Sequence, residues 1–97
     1  MKTFYLNEIT SFINSLSKKD GARLKKTRIL FETYGFQIGP KYIKKITRNI
    51  WELRAGNIRL FVCIKGSNIY GVHIITKKSQ KLLKKDINLA VERSKKI

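Results

Sequence analysis

Residues Ile50 to Phe61 read IWELRAGNIRLF, and the folding of this stretch decides the rest. Gly56-Asn57 is a recognised pair for a two-residue hairpin turn. With that turn, Arg54 sits opposite Arg59 and Glu52 opposite Phe61. Side chains alternate along a strand. Glu52, Arg54, Arg59, Phe61 and Cys63 therefore share one face, and Trp51, Leu53, Leu60 and Val62 share the other. The second set is the natural core face against helices. The first set is odd, because two cations directly opposed repel each other. Glu52, diagonal to Arg59, offsets part of that repulsion. A solvated outer face with one salt bridge is the default for such a pattern. Arginines gathered beside an aromatic ring favour a phosphate-binding face instead, since guanidinium grips phosphate bidentately and stacks on bases.

Working outward, Tyr42–Ile46 reads as a short strand before a turn at Thr47-Arg48-Asn49. Ile58–Ile64, a turn at Lys65-Gly66-Ser67-Asn68, and the β-branched run Ile69–Thr76 continue the meander. Upstream the period is helical. Asn7 can cap a helix carrying Ile9, Phe12, Ile13 and Leu16. Ser17-Lys18-Lys19-Asp20 has the form of a capping box. It opens a second helix with Leu24, Leu30, Phe31 and Tyr34 as its stripe and Gly35 as its C-cap. After Ser79 a last helix places Leu83, Ile87, Ala90 and Val91 on one face. The expected fold is α+β, with an N-terminal helical hairpin and a C-terminal helix packed on a small antiparallel sheet. Residues 1–97 are expected to form a single domain.

Composition points to the partner class. Twenty-two Lys and Arg face six Asp and Glu, for a net charge of +16. The cations divide evenly, eleven in residues 1–50 and eleven in 51–97, so the folded body itself is basic. Solubility needs only a net charge of about 2–8 in a small domain. The surplus suits a polyanion, with nucleic acid first; an anionic membrane surface or an acidic protein fits the same number. Cys63 is the only cysteine, which precludes an internal disulfide and suits a reducing, cytoplasmic setting. Its place in the run LFVCI reads as a buried thiol. The start, MKTFYLNEIT, does not read as a secretory signal, and no apolar run approaches the ~20 residues of a membrane span.

His73 has two possible directions. If only Gly66-Ser67 form the preceding loop, it falls on the core face; if Asn68 joins the loop, it joins Arg59. One residue of register reverses the answer. One His and one Cys make no metal site, and no Gly-rich phosphate loop is present. Thr76-Lys77-Lys78-Ser79-Gln80-Lys81 leaves the sheet beside the arginine-bearing strand. Lys84, Lys85, Lys95 and Lys96 extend the positive surface along the last helix.

Together WELR, GNIRLFV, VHIITKKSQK and a closing helix with INLA resemble the phage-derived HigB-like branch of the RelE/ParE toxin superfamily. The likeness runs from about Glu8 onward. The resemblance implies the toxin of a bacterial type II toxin–antitoxin system. It implies a metal-independent endoribonuclease that needs no cofactor, cuts mRNA on the translating ribosome and so inhibits translation. In that reaction a 2′-hydroxyl attacks the adjacent phosphate, fixed cations stabilise the anionic transition state, and protons move at both oxygens. Carried over residue by residue, Arg59, Lys77, Lys78, Glu52 and His73 are the implied catalytic set. Arg54, Lys81, Lys84 and Lys85 are the expected RNA contacts. The implied partners are the ribosome, mRNA and a cognate helix-turn-helix antitoxin that apolar grooves near the helical hairpin could accept; no membrane is implied. The family's Gly-Phe after the histidine is Ile74-Ile75 here, and Leu82-Leu83 replace a frequent Thr-Pro. A ParE-like gyrase poison and a non-catalytic RNA-binding domain are the competing classes.

Overall fold

The computed structural model describes residues 1–77 and 82–97. Strand β1 (Lys2–Tyr5) is followed by helices α1 (Asn7–Asn14) and α2 (Lys18–Tyr34) and a short 3-10 turn. Strands β2 (Ile43–Thr47), β3 (Ile50–Ala55), β4 (Ile58–Lys65) and β5 (Asn68–Thr76) come next, and α3 (Lys84–Ser94) closes the chain. The sheet order is β1-β5-β4-β3-β2. Four strands form the expected antiparallel meander, while β1 adds to the far edge parallel to β5. The strand KTFY is too short and mixed to announce itself. Its place depends on a parallel neighbour more than sixty residues away, Lys2 beside Asn68.

The central hairpin has the expected register, with Arg54 opposite Arg59 and Glu52 opposite Phe61. Gly56 adopts φ 60° in its turn, a backbone state that costs glycine little. Ser17 caps α2 by accepting the Asp20 N–H at 3.1 Å, and Gly35 ends the helix. The cap of α1 falls on Leu6, one residue before Asn7, without a side-chain hydrogen bond. Two further expectations are corrected. Tyr34 is exposed because α2 ends there, beyond the core, and Leu83 is exposed because it precedes the first turn of α3.

Both faces of the sheet carry a core. Leu53, Ala55, Ile58, Leu60 and Val62 pack under Ile9 of α1 and Leu24 and Phe31 of α2. On the opposite face Ile50, Phe61, Cys63 and Val72 pack against Ala90 of α3, with Val91 alongside. Burial pushes the Cys63 thiol pKa up, as an apolar site must. Helix α3 packs across this face from Cys63 and Val72 to His73, which Asp86 contacts.

The direction of His73 follows from a bulge. The β4–β5 loop is Gly66-Ser67, with Lys65 paired to Asn68, the arrangement that would send His73 to the face under α1 and α2. The register then shifts: Val62 pairs with Gly71, but Phe61 pairs with His73. Val72 is the extra residue. A bulge of this kind re-aims every side chain beyond it, and His73 ends on the face of Phe61.

Candidate functional site

The ladder aligns side chains in rows across the α3 face. Lys44, Glu52, Phe61 and His73 lie side by side on β2 to β5. The next row, toward the Gly56-Asn57 turn, holds Arg54, Arg59 and Ile75. Tyr42 adjoins it through its carbonyl, which accepts the Arg54 N–H at 2.7 Å. Lys77 leaves β5 at the same end, where its N–H donates to the Asn57 carbonyl at 2.7 Å.

Glu52 lies beneath the arginines. It is 1% exposed, an uncommon place for a carboxylate unless it is paired. Arg54 Nε donates to its Oε1 at 2.8 Å, and Arg59 Nε lies 4.0 Å from the same oxygen. The second distance is too long for a hydrogen bond, and Arg59 Nε is buried with no acceptor among the described residues. The carboxylate is thus shared unevenly between two guanidiniums. Arg59 instead turns its Nη1 back over the hairpin, donating to the carbonyls of Gly56 at 2.6 Å and Ile58 at 3.1 Å. Burial lowers the pKa of Arg59; Glu52 opposes that effect and Arg54 reinforces it. One acid and two cations leave this row with net positive charge held in fixed directions.

His73 sits at the margin, under α3. Its Nε2 is 2.8 Å from Asp86 Oδ1, and its Nδ1 faces Arg93 Nη1 at 3.3 Å. Arginine can only donate. Nδ1 is therefore the acceptor and Nε2–H the donor to Asp86. Phe61 packs on the ring with centroids 5.4 Å apart. Arg93 also donates to the Val72 carbonyl at 3.1 Å, gripping the bulge itself.

The structure therefore brings Glu52, Arg54 and Arg59 together, with Lys77 at the end of the same face and His73 one row back. Lys84 and Lys85 are exposed in the first turn of α3. Lys78 and Lys81 lie outside the described residues. Sequence reasoning missed Tyr42, Lys44, Asp86 and Arg93. Alternation along KYIKKI could have placed Tyr42 and Lys44 beside Arg54 and Glu52, but nothing local tied Asp86 or Arg93 to His73. No group of three or more His, Cys, Asp or Glu able to hold a metal occurs among the described residues. None of the described helices is long and apolar enough to cross a membrane.

The family model described as "Phage derived protein Gp49-like (DUF891)" matches residues 11–95, which include both faces of the sheet and α3. No curated protein matches the chain.

Proposed function

Because the chain belongs to the family of phage-derived Gp49-like proteins, we propose that it is the toxin of a type II toxin–antitoxin pair, acting in the cytoplasm. In this reading it is a metal-independent endoribonuclease that cuts mRNA on the ribosome. The observation that carries the reading is the Arg54–Arg59 row held over buried Glu52 beside the Gly56-Asn57 turn. Two opposed guanidiniums are costly in a sheet used only for packing. Directed at a phosphate undergoing attack by its 2′-hydroxyl, they stabilise the extra negative charge of the transition state without reorganising.

In this reading each residue has a role. Arg59 and Arg54 hold the phosphate. Glu52 sets the Arg54 guanidinium from beneath and acts as a positioning residue in that contact. Lys77, an ammonium at the end of β5, donates toward the leaving 5′-oxygen, with Lys78 beside it in sequence. The 2′-hydroxyl proton goes to Glu52 or to His73. Glu52→Gln and His73→Gln separate the two: the variant that loses the base stops cutting while RNA binding persists. Lys81, Lys84 and Lys85 extend the contact to flanking phosphates. The cognate antitoxin, of the helix-turn-helix class, silences the toxin.

Inducing the chain and mapping mRNA 5′ ends tests this reading. New ends inside translated frames, abolished by Arg54→Ala, are expected. Growth arrest with intact transcripts and double-strand DNA breaks would replace it with gyrase poisoning. Salt-sensitive RNA binding with neither cuts nor arrest would leave only a binding domain.

A further inference from the structure

Gly56 lies between two arginines from opposite sides of the sheet. Arg59, on the α3 side, donates to its carbonyl at 2.6 Å. Arg23, from α2 on the other side, lies so close that a Cβ at Gly56 would meet Arg23 Nη1 at 3.1 Å and its Cδ at 3.3 Å. The β3–β4 turn is thus straddled by two guanidiniums, and charge passes around the sheet's end without interruption. Arg23 forms no ion pair among the described residues and is exposed. The buried positions Leu24, Thr27 and Phe31 define the inward side of α2. Residues three and four apart share a helix strip, so Lys19 and Lys26 flank Arg23 along the edge of α2 nearest the turn. Both are exposed. Of the α2 acids, Glu32 is bound by Arg28 and Thr3, and Asp20, three residues before Arg23, makes no ion pair with it among the described residues.

We propose that a single-stranded RNA backbone runs from the Arg54–Arg59 row over the Gly56 turn and onto the Lys19–Arg23–Lys26 strip of α2. The cleavage row then holds one phosphate, and the strip holds its neighbours on one side. This inference rests on the proposed RNA-cutting activity and extends it to a surface outside the cleavage row. The strip differs from scattered surface charge in one respect: Arg23 and Arg59 flank a single turn, which makes the two faces one continuous cationic path. An apolar groove of about 360 Å³ lined by Ala22, Lys25, Lys26, Ile29 and Leu30 lies beside it. A protein docked in that groove is the competing use of this side of α2. Lys19 and Arg23 do not line the groove, so they report on the path alone.

The test measures affinity of the full chain for a single-stranded 2′-O-methyl oligonucleotide, which cannot be cut by 2′-hydroxyl attack, across a salt series. Lys19→Ala/Arg23→Ala is compared with Lys95→Ala/Lys96→Ala, a double variant of equal charge loss at the end of α3. Each phosphate contact on a single strand contributes about 0.7 to the slope of log affinity against log salt. The α2 double variant should therefore lose about 1.4 from the slope and bind several-fold more weakly, with the α3 double variant unchanged. Thermal midpoints equal to the parent's are expected for both. Equal losses in the two doubles mean a diffuse field, and no loss in either means α2 serves something else; both results overturn the path and leave the cleavage row standing. Failure of the parent chain to bind at all overturns the path, whereas absence of new mRNA 5′ ends in cells overturns the RNA-cutting reading itself.

Discussion

The two faces of strands β3 and β4 are built from alternate residues of the same twelve-residue stretch, yet they solve different problems. Under α1 and α2 the face is apolar, with Leu53, Ile58 and Leu60 at 1% exposure or less. Under and beyond α3 the same strands bury Glu52 to the same degree and aim two arginines past it. Apolar burial is favourable by itself. A buried carboxylate is tolerated only through its partners, and replacing such a cluster by well-packed apolar groups is often neutral or stabilising. Glu52, Arg54 and Arg59 therefore add little that stability alone requires. The contrast sets an apolar scaffold face against the face that carries the candidate site.

Substitutions on each face test that division. Leu60→Ala on the scaffold face should destabilise by about 2–5 kcal/mol, because it opens a cavity in a fully buried cluster. Chemical denaturation should show that loss, with per-molecule activity unchanged in the fraction that stays folded. Glu52→Gln should cost less, about 1–3 kcal/mol. Its partners Arg54 and Arg59 are partly solvated and recover part of the lost pairing from water. It should nonetheless lower activity far more than Leu60→Ala does. Equal loss of stability and of activity in both variants would mean that the faces do not differ in role.

The bulge permits a third comparison. Gly71 pairs with Val62 where the register slips, and a Cβ there would meet the Tyr5 ring at 2.7 Å. Gly71→Ala should cost about 1–3 kcal/mol by forcing β1 away. Its effect should appear first as faster amide exchange in β1. A smaller effect is set by pH. Burial raises the folded-state pKa of the Cys63 thiol above its ordinary 9.0, so the unfolded chain releases that proton first. Stability is then complete below about pH 9 and falls as pH rises toward the folded value. Tyr5 adds a parallel loss from 10.0 upward, since burial also raises its pKa. Cys63→Ala should flatten the first part of the alkaline decline, and an unchanged profile would contradict the assignment.

The meander and the partition of its faces were legible because period-2 alternation and a Gly-Asn turn are local signals. The pairing of Arg54 with Arg59, and the placing of Glu52, Phe61 and Cys63, followed from them. The direction of His73 was not legible. The loop alternative that the structure adopts, Gly66-Ser67, would have sent it the other way, and only the Val72 bulge reverses that. A bulge is set by tertiary grip, here Arg93 on the Val72 carbonyl from twenty-one residues away. The strand Lys2–Tyr5 was missed for a related reason: four residues with a distant parallel partner leave no local pattern. Burial of Glu52 was hidden as well, because alternation assigns a face but not what covers it.

The most direct measurement is transcriptome-wide mapping of mRNA 5′ ends after induction of the parent chain, Arg54→Ala and Leu60→Ala, with protein levels matched. The account predicts new ends within translated frames for the parent chain, their loss in Arg54→Ala per folded molecule, and their retention in folded Leu60→Ala. Cleavage that survives Arg54→Ala, or arrest of growth with every transcript intact, would contradict it.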